Sequence, residues 1–206
     1  MSQLHRPSLD EIPVLAATIA ATLADNPLFV FLFPDDEHRE SDLTTYHAWL
    51  LSSFLNSGHT STIAVTERDE GVIAWSLGQP THAHAMKVLR PTFHDPDVVK
   101  RSRLLAADDR LGFPADPYLF LPFVTVSQRH QGQGFGSTLT SALLDKADQL
   151  RLPVATTTPV PDAVVFLERF EFKVVKESPP AAFGPHRWTL LRPAPAASAR
   201  HQRWPH

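Results

Sequence analysis

The sequence predicts a single mixed α/β domain, and three observations carry that prediction. Apolar, β-rich runs at residues 60–66, 72–77 and 118–126 are bounded by polar turns, as strands are. Segments with apolar residues at helical spacing stand before and after them. The third observation is a junction, Phe120-Leu-Pro-Phe-Val-Thr-Val-Ser-Gln-Arg-His-Gln-Gly-Gln-Gly-Phe-Gly-Ser-Thr138, where a strand passes through closely spaced glycines into a helix.

The first helix is expected over residues 11–24. Ser8 and Glu11 have capping-box spacing, but a start there puts Pro13 in the second turn. Asp10 as N-cap keeps Pro13 in the first turn, where its missing N–H costs little. Asn26-Pro27 ends this helix. An aromatic cluster over 28–33 closes on the turn Pro34-Asp35-Asp36. Leu43, Tyr46, Leu50, Phe54 and Leu55 give a second helix over 37–55. Residues 60–66 and 72–77 form a hairpin across the polar turn 67–71.

Residues 79–117 are a long irregular insertion with a helical stretch near 97–110, the kind of segment that lines binding sites. Residues 118–126 form the central strand. Pro122 lies inside it and cannot donate a ladder bond, so an edge, bulge or splayed position is expected there. The next helix buries Phe135, Leu139, Leu143, Ala147 and Leu150. A strand at 152–157, a short helix at 162–170, and strands at 172–176 and 187–191 complete the domain, residues 1–192. The Ala, Pro, Arg and His content of 193–206 reads as a disordered tail.

With 206 residues, 43% hydrophobic and 20% charged, the chain is long enough for one substantial core. A net charge of −3 leaves no basic excess to neutralise a phosphate backbone, so no nucleic-acid partner is expected. The absence of cysteine removes disulfides, thiol nucleophiles and cysteine–metal sites. No apolar run approaches the roughly 20 residues of a membrane span. The apolar stretch 12–24 follows Asp10 and Glu11 rather than positive charge, so it reads as a buried helix. No membrane partner and a cytoplasmic location are expected.

The glycine loop carries the functional expectation. Gly132, Gly134 and Gly136 let the backbone turn and approach a ligand, and the following helix start favours an anion. The spacing does not fit the dinucleotide fingerprint, because the third glycine comes one residue early, and there is no Gly-Lys-Ser/Thr of a Walker A loop. Gln131-Gly-Gln-Gly-Phe-Gly136 matches the Gln/Arg-x-x-Gly-x-Gly/Ala signature of the GCN5-related N-acetyltransferases. The chain resembles that family further in Val124-Thr-Val126, the helix to Leu150, and Phe166-Leu-Glu-Arg-Phe-Glu-Phe172. Asp25-Asn-Pro-Leu-Phe and Phe33-Pro-Asp35 look like the subgroup that includes puromycin N-acetyltransferase.

The resemblance implies a central mixed, mostly antiparallel sheet, splayed at its central strand and flanked by helices. It implies acetyl-CoA or another acyl-CoA as co-substrate, no metal, and transfer to the amine of a small molecule by a monomer or homodimer. A role in antibiotic resistance or secondary metabolism follows only from the subgroup. The amides of Gln131, Gly132, Gln133, Gly134, Phe135, Gly136 and Ser137 would hold the pyrophosphate. The Val124–Thr125–Val126 backbone would pair with the pantetheine arm, and an amide at Phe123 or Val124 would polarise the thioester carbonyl.

Three departures stand out. Relatives carry tyrosine, commonly the general acid, where this chain has Leu167; glycine where it has Glu171; and a Glu-Thr-Ser/Asn run where it has Thr156-Thr-Thr-Pro159. Positioning alone, a substitute acid, or acyl-CoA binding without turnover would each accommodate them. A protein acceptor in place of a small molecule is a separate alternative, against which the apolar, proline-broken insertion speaks. Among other candidates, His82 and His84 read as loop histidines rather than metal ligands. His130 beside the loop could meet a phosphate or solvent. Asp35 and Asp36 read as a turn, Phe29, Phe31, Phe33 and Trp75 as core, and the Asp10/Glu11 and Asp108/Asp109 pairs as helix-end charge.

Overall fold

A computed structural model describes residues 4–57, 61–78, 93–115, 117–181 and 184–195. Its seven-stranded sheet has the order β1-β2-β3-β4-β5-β7-β6. The strands are β1 (Leu4–His5), β2 (Ser61–Thr66), β3 (Gly71–Leu77), β4 (Leu119–Val126), β5 (Val154–Thr158), β6 (Lys173–Ser178) and β7 (Arg187–Arg192). Only β4 and β5 pair in parallel; the other neighbours are antiparallel. The mixed, mostly antiparallel sheet and the β2–β3 hairpin are as expected from sequence. The two-residue β1 was not anticipated, being too short to show a period.

The first helix, α1 (Ile12–Leu23), is entered through a 3-10 turn at Leu9–Glu11. Ser8 and Glu11, not Asp10, make the cap: the Ser8 amide and hydroxyl both donate to Glu11 Oε2, at 2.7 and 2.8 Å. The 3-10 turn takes up three residues, so Pro13 still falls in the first α-helical turn. Asn26 does more than end α1. Its side chain accepts from the Leu28 amide at 2.9 Å and starts α2 (Pro27–Leu32), so the aromatic cluster is helical. Then come α3 (Arg39–Asn56), α4 (Val98–Asp109), α5 (Phe135–Leu150) and α6 (Pro161–Glu168).

Alternation along the strands divides the core into two layers. Ile63, Val65, Val72 and Ala74 face α1 and α3, among Ile12, Leu15, Leu51 and Phe54. Ala64, Ile73 and Trp75 face the other way, against Leu139, Leu143 and Ala147 of α5. A third cluster joins α2 and α4 through Phe29, Phe33, Val98 and Leu105. Leu150, expected in the buried stripe of α5, is instead 46% exposed, because the helix ends there at Arg151 in the left-handed conformation.

β4 is where the sheet changes character. Phe120 opposes Ser76 and Phe123 opposes Ala74, so three steps on β4 match two on β3. The extra residue is a bulge at Leu121-Pro122, which fits a proline that has no ladder hydrogen to give. The bulge reverses the alternation: Leu119 and Leu121, then Val124 and Val126, all join the same core cluster. On its other side β4 pairs with β5 only through Leu119↔Val154 and Phe120↔Ala155. Beyond Phe120 the two strands part.

Candidate functional site

The glycine loop sits at the C-terminal end of β4. Gly132 and Gly134 have φ of +76° and +89°, backbone that favours glycine, and a Cβ at either would meet nothing within 4 Å. Gly136 has no such φ; a Cβ there would rest 3.5 Å from the Phe166 ring. Gly134 is the N-cap of α5, and Thr138 donates to its carbonyl at 3.0 Å. The amides of Phe135, Gly136 and Ser137 therefore have no acceptor inside the helix. They border a cavity of about 500 Å³ between the loop and α6. Gln131 Nε2 donates to the Val126 carbonyl at 3.2 Å, which ties the loop to the strand.

Arg169 also lines this cavity, its guanidinium 5.6 Å from the centre of the Phe166 ring. His130 lines it too, with Nδ1 2.8 Å from Ser127 Oγ. Asp162, in the first turn of α6, puts a carboxylate on the same wall. With a sixteen-residue helix behind it, the loop presents unpaired amides at the positive end of a helix, where an anion is favoured.

The parting of β4 from β5 opens a second cavity of about 560 Å³, bordered by Leu121 to Val126 on one side and Thr156 to Val160 on the other. On its β3 side this part of β4 is fully paired, from Ala74↔Phe123 to Gly71↔Val126. Alternate backbone groups must therefore turn toward the cleft, leaving an edge on which an extended chain could be hydrogen-bonded.

A third cavity, about 100 Å³, lies beneath and is mostly apolar. Phe123 and Thr157, from opposite sides of the parting, border both it and the cleft, while Val124 borders both the cleft and the glycine-loop cavity. Two adjacent residues thus link all three spaces.

His47 and Asp109 line the third cavity. His47 is 0% exposed, and its ring stands edge-on to Phe29 and Phe123 at 5.2 and 5.8 Å. Its Nδ1 is 2.8 Å from the Leu43 carbonyl, which can only accept, so Nδ1 carries the hydrogen and Nε2 a lone pair. Nε2 has no hydrogen-bond partner among the described residues. Burial pushes the imidazole down to about 4, so it is neutral at physiological pH. A buried polar group without a partner costs about 1–3 kcal/mol.

Asp109 is 9% exposed; burial raises its carboxyl to about 6, against the pull of Arg187. Arg187 Nη2 is 2.7 Å from Asp108 and 3.4 Å from Asp109. Burial also raises Asp108, but Lys176, Ser178 and Arg187 outweigh it and hold this carboxyl below its usual value. The Asp108/Asp109 pair is thus not merely helix-end charge. It joins α4 to β6 and β7, with one carboxylate in a cavity.

Most expected site residues are brought together. Phe123 to Val126 line the cleft, and Gln131, Gly132, Gly134, Phe135, Gly136 and Ser137 line the loop cavity. Gln133 does not; its side chain turns back to the Arg129 carbonyl at 3.2 Å. Leu167 is buried and borders both larger cavities, and Thr156 donates to the Leu121 carbonyl at 2.7 Å. Asp35 accepts from the Glu37 amide and pairs with His38, as a turn residue does. Phe29, Phe33 and Trp75 are core, while Phe31 is half-buried. His82 and His84 lie outside the described residues, as does 196–206. Glu11 acts in the cap described above, and Asp10 is exposed.

Sequence reasoning missed His47, Asp109's place in a cavity, and Arg169. His47 falls on the buried stripe of Leu43, Leu50 and Phe54, and a histidine on an apolar stripe is the signal that was there to read. Among the described residues, His5, Glu11 and Asp69 could place ligand atoms within 4.8 Å of one another, but Glu11 is committed to Ser8 and His5. No helix among the described residues is long and apolar enough to cross a membrane.

No protein-family model matches the sequence. The backbone is similar to that of a Corynebacterium glutamicum protein described as histone acetyltransferase HPA2 and related acetyltransferase. The TM-score is 0.68 and the identity 16%, over 96% of this chain and 99% of that one. It is also similar to arylalkylamine N-acetyltransferase 2 of Aedes aegypti (0.60, 14%, covering 92% and 96%). A Drosophila melanogaster polyamine N-acetyltransferase that forms N-acetylagmatine is a third (0.58, 15%, covering 93% and 98%). At these identities the likeness is one of fold, and the fold is that of the GCN5-related N-acetyltransferases.

Proposed function

We propose that the chain is an acyl-CoA-dependent N-acyltransferase that moves an acetyl or related acyl group to the amine of a small molecule. The observation that carries this reading is the meeting of three cavities at Phe123 and Val124. The amides from Gln131 to Ser137, with Arg169, hold the pyrophosphate; the free edge of β4 from Val124 to Val126 receives the pantetheine arm. An amide at Phe123 or Val124 donates to the thioester oxygen as negative charge develops on it. The amine approaches from the third cavity, and holding it against the thioester supplies much of the rate. The neighbours' action on arylalkylamines and polyamines supports a small-molecule acceptor. A puromycin-type subgroup rests on residues 25–35 alone.

Isothermal titration with acetyl-CoA, followed by thiol release against primary amines, tests the reading. Binding with amine-dependent release is expected. Binding without release from any amine would leave an acyl-CoA-binding protein, and no binding would overturn the reading altogether.

A further inference from the structure

We propose that His47 Nε2 takes the proton of the attacking amine, and that its cavity admits a small alkylamine bearing no carboxylate. This rests on the acyl-CoA reading above. His47 brings to this cavity a buried acceptor atom that is fixed and has no partner among the described residues: the Leu43 carbonyl sets the tautomer and leaves the Nε2 lone pair uncommitted. Its ring neighbours Phe123, one of the residues shared by the third cavity and the cleft. An amine nitrogen reaching a thioester at Phe123 therefore passes His47.

The step balances without a further reagent. The lone pair of the free amine forms the C–N bond at the thioester carbonyl carbon, and Nε2 takes the N–H proton. The C–S bond breaks, the thiolate is protonated from the open cleft, and Nε2 gives up its proton only as the products leave and water enters the cavity. Net, one proton moves from nitrogen to sulfur. The base thus comes from α3, while Leu167 of α6 cannot donate a proton and leaves the thiolate to take its own from the cleft.

The walls define the acceptor class. About 100 Å³ has room for roughly four non-hydrogen atoms, enough for most of a small alkylamine whose nitrogen points to the cleft, since a dry cavity of about 150 Å³ holds the six carbons of benzene. Leu28, Leu32, Leu50 and Leu105 make the cavity apolar. Asp109 is its acidic group, and Arg187, held more closely by Asp108, only partly offsets it. A carboxylate on the acceptor would face this anion with little water between them.

Isobutylamine and valine are the probes, because they share one branched body and differ by a carboxylate. Wild-type protein should release thiol with isobutylamine, with kcat/KM at least about 100-fold above that for valine. His47→Phe keeps the ring and its aromatic contacts; it should bind acetyl-CoA with unchanged Kd while kcat falls about 10²–10⁴-fold. His47→Gln keeps an acceptor but cannot carry a proton, so it should hold KM for isobutylamine and lose kcat; it also carries the test should His47→Phe not fold. Wild-type kcat in either variant, equal use of valine, or acetyl-CoA binding without acylation of isobutylamine would each overturn the proposal. Failure of the wild-type protein to bind acetyl-CoA would instead defeat the acyl-CoA reading on which it rests.

Discussion

The Thr156 hydroxyl donates to the Leu121 carbonyl at 2.7 Å, across the point where β4 and β5 separate. Backbone pairing has ended one residue earlier, at Phe120↔Ala155. A side chain thus takes over from the ladder and satisfies a buried carbonyl that the parting would otherwise orphan. Thr156→Val keeps the shape and deletes the donor. It should lower stability by about 1–3 kcal/mol, and Thr156→Ser should restore most of it. Thermal denaturation of the three proteins checks this; equal midpoints would mean the hydroxyl is not needed to open the sheet.

Glu171 holds a tight turn in an unfavourable conformation. Its φ is +68°, a region that costs an L-residue about 1–2 kcal/mol. The side chain is exposed and its nearest cation, on Arg192, is 3.8 Å away, so little offsets the strain. Glu171→Gly should raise stability by about 1 kcal/mol, roughly 2–4 °C in Tm for a chain of this size. A lower Tm would show that the Arg192 pairing outweighs the backbone.

The last two glycines of the loop, Gly134 and Gly136, differ in what they tolerate. Gly134→Ala should cost about 1–2 kcal/mol, because φ is +89° there, yet leave the fold intact. Gly134→Glu adds a negative charge at the anion site and should weaken acetyl-CoA binding at least about 100-fold beyond the alanine variant. Gly136→Ala meets only ordinary contact with Phe166 and should bind as wild type. Titration calorimetry separates the three; normal binding by a folded Gly134→Glu protein would remove the loop from the site.

Burial of His47 also sets a pH dependence of stability. Its pKa falls from 6.5 to about 4 on folding, so the folded state favours the neutral ring. The stability this contributes is fully present above about 6.5 and is lost as pH falls toward 4. Asp109 works in the opposite sense. Its carboxyl rises from 3.8 to about 6, so its contribution is present at acid pH and lost as pH climbs through 6. Between pH 6.5 and 4 the two oppose each other in wild-type protein. In His47→Phe only the Asp109 contribution remains, so the gain in Tm over wild type should grow as pH falls through this window. A gain that is constant with pH would mean the imidazole is not buried as described.

Local chemistry was enough to read several features from the chain. The β2–β3 hairpin follows from alternation around a polar turn, and the loop from glycines at a strand–helix junction. Pro122 announced a break in pairing because a proline cannot supply the missing hydrogen, and the structure makes it both a bulge and a parting of strands. These are properties of residues near one another in sequence, acting through backbone geometry and hydrogen-bond arithmetic.

Tertiary structure decided what depends on distant segments meeting. Asp108 and Asp109 looked like helix-end charge until folding brought β6 and β7 to them, and Asn26 looked like a stop until its side chain began a helix. His47 could be placed on a helix face from its spacing, but only packing against α2 and β4 removes water from its ring. Thr156 finds Leu121 from 35 residues away, because the sheet places them together. Burial and long-range partnership set desolvation and charge, and these belong to the folded arrangement rather than to any one stretch of chain.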